Sequence, residues 1–97
     1  MQIEIEFSPP FRTAYSGPRL ILNLEEGEQT VPGLLRRLAE EYGEPMEKLL
    51  WEEEGGIKPG LMVMVNERIY TGTALNQHAV ELCDHDLVSL LYYLSGG

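Results

Sequence analysis

Apolar and polar residues alternate over the first positions of the chain: Ile3, Ile5 and Phe7 share one face, and Gln2, Glu4 and Glu6 share the other. This period of two predicts a half-buried strand over residues 2–7. Ser8-Pro9-Pro10 stops it, because proline cannot donate to a ladder. Residues 11–17 are expected to form a loop closing at Ser16-Gly17-Pro18. Alternation resumes over residues 19–24, with Leu20, Leu22 and Leu24 on one face, and the modest loop between the two strands predicts an antiparallel hairpin. After the turn Glu25-Glu26-Gly27-Glu28 the period changes. Val31, Leu34, Leu35, Leu38 and Tyr42 recur three and four residues apart and make one apolar helical stripe. Thr30 can cap its N-terminus, and Pro32 lies in the first turn, where its missing N–H is not needed. Arg36 and Glu40, and Arg37 and Glu41, stand at i,i+4 spacing on the polar side. Gly43 and Pro45 end the helix.

The second half predicts less regular structure. Residues 46–51 form a short second helix with Met46, Leu49 and Leu50 inward, and Glu52-Glu53-Glu54-Gly55-Gly56 is an acidic, flexible loop, either solvated or a partner contact. Leu61-Met62-Val63-Met64-Val65 is apolar on both faces, as an interior strand should be. Asn66-Glu67 makes a turn, and Arg68-Ile69-Tyr70 returns as a short strand. Residues 71–81 read as irregular. Leu82 and the turn Asp84-His85-Asp86 lead into the last strand, residues 87–94, and Ser95-Gly96-Gly97 follows. The order is strand, strand, helix, strand, short strand, strand. One main helix must then cover one face of a mixed four- to five-stranded sheet. The first and last strands are expected side by side in the middle, which is an α+β fold of the β-grasp kind. Residues 1–97 are expected to form a single domain with a flexible tail over 95–97.

Length and composition narrow the function. Ninety-seven residues suffice for one core. Sixteen acidic residues against seven basic ones give a net charge of −9. That excess argues against nucleic acid, where affinity comes from Lys and Arg on phosphates, and it permits attraction to a basic partner. The longest apolar runs are far short of the roughly 20 residues of a membrane span. No basic segment and apolar core opens the chain, and Cys83 is the single cysteine. A cytoplasmic protein that is monomeric when free is expected.

The C-terminal third resembles a known family, the ubiquitin-like sulfur carriers MoaD, ThiS and the ubiquitin-related modifier. Their pattern is a Val-Asn turn after the third strand, a Leu-x-Asp-Gly-Asp-x-Val turn and strand, and a final Gly-Gly. Here those elements are Val65-Asn66, then Leu82-Cys83-Asp84-His85-Asp86-Leu87-Val88, then Gly96-Gly97. Pro59-Gly60 before the third strand is most like the ubiquitin-related modifier, and Thr30-Val31 at the helix entry is most like MoaD. His85 stands where the family usually has glycine, and histidine is among the residues more often found at positive φ. Tyr92-Tyr93 stands where MoaD often has Pro-Pro.

The resemblance implies that the carboxylate of Gly97 is the reactive group, adenylated by an E1-like adenylyltransferase of MoeB/ThiF type that uses ATP and Mg²⁺. A sulfur donor then converts it to a thiocarboxylate. The leading destination is the small subunit of molybdopterin synthase, with the large subunit as partner. Thiazole synthesis, tRNA thiolation, cysteine synthesis and conjugation to lysines are the alternatives, and a plain binding module with an inert tail is the last. No cofactor, metal or membrane is implied. Glycine suits positions 96 and 97 because it lacks Cβ and lets a tail enter a narrow channel. If Val88, Leu90 and Tyr92 point under the helix, then Leu87, Leu91 and Tyr93 lie on the open face as a candidate docking patch. A covering loop, or burial on both sides, is the competing possibility. Cys83 has no basic neighbour in sequence to activate it. His78 and His85 with Asp84 and Asp86 match no strong metal-ligand spacing.

Overall fold

The computed structural model describes residues 1–92. Eight elements follow one another: β1 (Gln2–Phe7), β2 (Arg19–Asn23), α1 (Val31–Tyr42), α2 (Glu44–Leu50), β3 (Leu61–Val65), β4 (Arg68–Thr71), α3 (Gly72–Gln77) and β5 (Leu87–Tyr92). The five strands form one mixed sheet in the order β2-β1-β5-β3-β4. β1 and β2 make the expected antiparallel hairpin, Ile3 opposite Leu22 and Ile5 opposite Leu20. β5 enters the centre parallel to β1 and antiparallel to β3. The α+β, β-grasp-like architecture is therefore as expected.

One face of the sheet carries the core. Ile3, Ile5 and Phe7 of β1, Leu61 and Val63 of β3, and Val88 and Leu90 of β5 are buried with Val31, Leu34, Leu35 and Leu38 of α1. Burying each such side chain contributes about 1.5–3 kcal/mol relative to leaving it exposed. α1 starts where Thr30 Oγ1 accepts from the Gly33 amide at 3.0 Å, a cap that contributes about 1 kcal/mol. It stops at Gly43, where the chain turns through φ 78. Arg37 ties α1 to the β2 turn, donating to Glu28 at 2.8 Å, to the Asn23 carbonyl at 3.1 Å and to Glu41 at 3.2 Å. Glu28 is held below its ordinary pKa, first by the Glu25 amide that donates to it and then by Arg37. The second expected pair, Arg36 with Glu40, does not form. Arg36 instead lies over the Trp51 ring, 5.6 Å from its centroid, where the aromatic face competes for the cation.

Four segments differ from the sequence reading. Residues 11–17 are not simply a loop: Pro9–Thr13 is a 3-10 turn that buries Phe11 completely. The acidic segment after Trp51 is a closed turn, with Trp51 bridged to Ile57 and the Glu52 amide donating to the Gly56 carbonyl at 2.6 Å. α2 begins two residues early, at Glu44, and Leu49 is only half-buried while Met46 and Leu50 are fully inside.

Residues 71–81 are the largest correction, because they contain α3. Thr71 caps it by accepting from the Ala74 amide at 3.1 Å, Leu75 is buried, and Asn76 brackets Ile57 with two 2.9 Å bonds. The following residues run beside the entry to α1, with Val31 donating to Val80 at 2.8 Å and Leu82 donating to Gln29 at 2.9 Å. Six residues with one core leucine show no periodic stripe, so the helix is held by its cap and its contacts. Gly72 makes the closest of these, since a Cβ there would collide with the Lys58 carbonyl. The backbone on both sides is fixed, so Gly72→Ala is expected to cost about 1–3 kcal/mol by overpacking. Chemical denaturation, read at the Trp51 fluorescence, measures it.

Candidate functional site

The feature that positions any C-terminal chemistry is the path of β5, and three side chains set where it begins. Asn66, in the turn between β3 and β4, has φ 55, and His85, in the turn before β5, has φ 68. Both are the left-handed conformation that the sequence assigns to those turns. Asn66 reaches across: its Nδ2 donates to Asp86 Oδ1 at 2.9 Å, and its Oδ1 accepts from the Leu87 amide at 3.1 Å. Its backbone N–H donates to the Leu87 carbonyl at 2.8 Å. Asp86 Oδ2 accepts from the Cys83 amide at 2.8 Å, which closes the turn on itself. On the other side Asp84 Oδ1 accepts from the Gln2 amide at 2.7 Å, and the His85 amide donates to the Gln2 carbonyl at 2.6 Å. The Gln2 amide, more than any other cause, holds the Asp84 carboxyl below its ordinary pKa. The start of β5 is thus pinned to both neighbouring strands at once.

β5 then runs with alternating faces. Val88 and Leu90 are buried under α1, and Tyr92 is half-buried on the same side. Burial raises the Tyr92 phenol pKa, and the Glu52 carboxylate adds to the effect. Leu87 and Leu91 are half-buried on the opposite, open face. Register places Met62 beside Leu91, Met64 beside Ser89, and Ile69 beside Met64 on that face. Ile69 is 56% exposed. Over β1 and β2 the open face changes character: Glu4 stands beside Leu87 and Glu6 beside Ser89, and Arg19 bridges the two carboxylates at 2.9 and 3.8 Å. The face is therefore half apolar and half charged, with Leu87 and Leu91 half-buried on it.

Of the residues singled out from the sequence, Leu87 and Leu91 are brought together on the open face. Tyr93, Gly96 and Gly97 lie outside the described residues. Met62, Met64 and Ile69 escaped the sequence reading as docking residues. The signal for the methionines was present, since they occupy the alternate face of a strand whose other face is Leu61, Val63 and Val65. Cys83 is exposed, and His85 pairs with Asp84 at 3.4 Å in an exposed turn. Among the described residues, no three His, Cys, Asp or Glu side chains come together as metal ligands, and no helix is long and apolar enough to cross a membrane.

Comparison with known proteins now bears on this geometry. The solution structure of the Haloferax volcanii HVO 2177 protein is 30% identical to the chain, with a TM-score of 0.77, over 100% of this chain and 87% of that one. The chain belongs to the family of that protein. Its fold is shared more widely, by small archaeal modifier proteins, Urm1 proteins and a molybdopterin converting factor subunit. SAMP1 from Haloferax volcanii superposes with a TM-score of 0.79 at 18% identity, covering 100% of both chains. A protein of Pyrococcus furiosus described as a putative molybdopterin converting factor, subunit 1, has a TM-score of 0.66 at 17% identity, covering 97% of this chain and 99% of its own. No protein-family model matches the sequence, and no curated protein matches it either.

The Asn66 clamp predicts a graded response. Asn66→Gly keeps the left-handed backbone and removes the two side-chain bonds, for an expected loss of about 1–2 kcal/mol. Asn66→Ala adds the left-handed penalty, about 1–2 kcal/mol more. Thermal melts of both variants against wild type test the order. Equal losses would show that backbone conformation contributes nothing there.

Proposed function

We propose that the chain is a ubiquitin-like sulfur carrier, a protein cosubstrate with no active site of its own. The carboxylate of Gly97 is its reactive group. The observation that carries this reading is the placement of β5: pinned at its start and central in a β-grasp sheet, it runs directly toward the Ser95-Gly96-Gly97 end of the sequence. An ionised α-carboxylate, with a reference pKa of about 3.3–3.7, is a poor acyl donor. Activation is therefore needed. In an E1-like adenylyltransferase the Gly97 carboxylate attacks the α-phosphorus of ATP, with Mg²⁺ bound by that enzyme, and pyrophosphate leaves. Attack of hydrosulfide delivered by a sulfur donor on the acyl carbon displaces AMP, and loss of the S–H proton leaves a thiocarboxylate with sulfur in place of one oxygen. The thiocarboxylate then serves as sulfur source in a downstream synthase.

The role of a MoaD-like small subunit of molybdopterin synthase is the destination we favour, and the likeness to the Pyrococcus protein supports it. Leu87 and Leu91, with Tyr93, are assigned to partner docking, supported by their continuity with Met62, Met64 and Ile69 on the open face. A second reading, conjugation of Gly97 to lysines of other proteins, is favoured by the name of SAMP1-type neighbours, small archaeal modifier proteins. Both readings need the same terminal glycine.

Incubation with a matching adenylyltransferase, ATP and a sulfur donor is expected to replace one oxygen by sulfur at Gly97, seen by intact-mass spectrometry. Deleting Gly97 should abolish the change. An unchanged mass, with an adenylyltransferase shown competent on its own carrier, overturns the carrier reading, and reductant-resistant conjugates in cells would favour the modifier. On the open face, Leu91→Glu is expected to raise the KM of activation about ten-fold, as for an interface residue contributing at least 1 kcal/mol, while the melting temperature stays near wild type.

A further inference from the structure

β5 outruns its neighbour. Its pairing with β1 ends at Leu90, opposite Phe7, whereas its pairing with β3 continues to Tyr92, opposite Leu61. The last two described residues of the strand therefore have a strand on one side only. The 3-10 turn Pro9–Thr13 packs against that end of β5. The Ser8 amide donates to the Leu90 carbonyl at 3.1 Å, and the Phe11 amide donates back to Ser8 at 3.0 Å. This bends the chain so that the Phe11 ring comes beneath Tyr92. The two rings stack with centroids 5.3 Å apart and planes 15° from parallel. Phe11 is fully buried and does not stand alone: Phe7 lies 6.1 Å from it, Tyr15 5.2 Å from Phe7, and Tyr42 5.2 Å from Tyr15. Five aromatic rings thus run from the end of β5 to the last turn of α1.

We infer that Phe11 is a positioning residue for the C-terminal tail, acting through Tyr92. The inference rests on the carrier reading above and adds to it the residue that fixes where the tail begins. Tyr92 immediately precedes residues 93–97, so its position sets the origin from which Gly97 must reach a partner's active site. A strand end paired on one side would open readily, and local opening is governed by such missing contacts. An aromatic pair contributes beyond its buried area, so the stack holds Tyr92 on the helix side and the tail at one point of departure. Fixing that origin before docking lowers the ordering cost of binding. Loss of the stack should therefore appear in KM for the carrier and leave kcat almost unchanged.

The test uses the full chain in three variants. Phe11→Leu keeps an apolar side chain and removes the stack, Tyr92→Leu removes it from the other side, and Tyr92→Phe keeps both rings. Amide hydrogen exchange at Leu91 is expected to quicken about three- to ten-fold in the two leucine variants, with β1 amides unchanged. KM for thiocarboxylation should rise by a similar factor, with kcat within about two-fold. Tyr92→Phe should match wild type in both. If Phe11→Leu fails to fold, Tyr92→Leu decides alone. Normal exchange at Leu91 together with a normal KM in a leucine variant overturns the inference. If wild type itself is not thiocarboxylated while Leu91 exchange still responds, the carrier reading fails and the positioning of Tyr92 stands.

Discussion

A β-strand in the middle of a sheet has no freedom of register once both neighbours are paired, and β5 is such a strand. Its parallel partner β1 comes from the start of the chain and its antiparallel partner β3 from the second half. A slip of one residue would turn Val88 and Leu90 out to solvent and bring Leu87, Ser89 and Leu91 under α1. The hydrophobic cost of that exchange holds the register over the body of the strand. It does not by itself say where the strand starts. Asn66, Asp84 and Asp86 do that, by bonding the turn to β1 and β3 before the first buried residue. Two different forces thus fix one direction, packing along the strand and polar bonds at its entry.

The split of the open face follows from the same register. Because β5 is central, its open side is flanked by β3 on one edge and β1 on the other. β3 is apolar on both faces, so Met62 and Met64 extend the patch begun by Leu87 and Leu91. β1 is amphipathic, so Glu4 and Glu6 end it. Methionine side chains are flexible and polarisable, which suits the docking role proposed for this patch. The charged half limits the approach: Glu4 and Glu6 already share Arg19, in a pair exposed enough to contribute little to stability. An incoming basic group has that network to rearrange, so it is better suited to orienting a partner than to holding one.

Much of this was legible in the chain. The alternation of Ile3, Ile5 and Phe7, the stripe from Val31 to Tyr42 and the two-faced run Leu61 to Val65 each match their element, because the strands and α1 are shaped by burial. The left-handed turns at Asn66 and His85 were equally legible, since few residues tolerate that backbone. α3 was not, because Gly72 and Asn76 act through contacts with Lys58 and Ile57 that no local pattern records. Phe11 was hidden for a related reason. A lone aromatic beside Pro9-Pro10 is compatible with any loop, and its burial depends on β5 arriving above it.

That dependence runs in both directions. The 3-10 turn is held by the buried Phe11, by the Ser8 amide bonded to Leu90 and by packing against α2, and β5 beyond Leu90 has no second strand. Each covers what the other leaves open. The position of Tyr92 therefore depends on residues 8–11 as well as on the turn at Asp84, although residues 8–11 and Tyr92 lie far apart in the chain. A proline pair at positions 92 and 93, as in the MoaD pattern, would fix the departing backbone by its restricted φ. Here Tyr92 lacks that restriction, and the ring beneath it supplies the constraint from outside the strand.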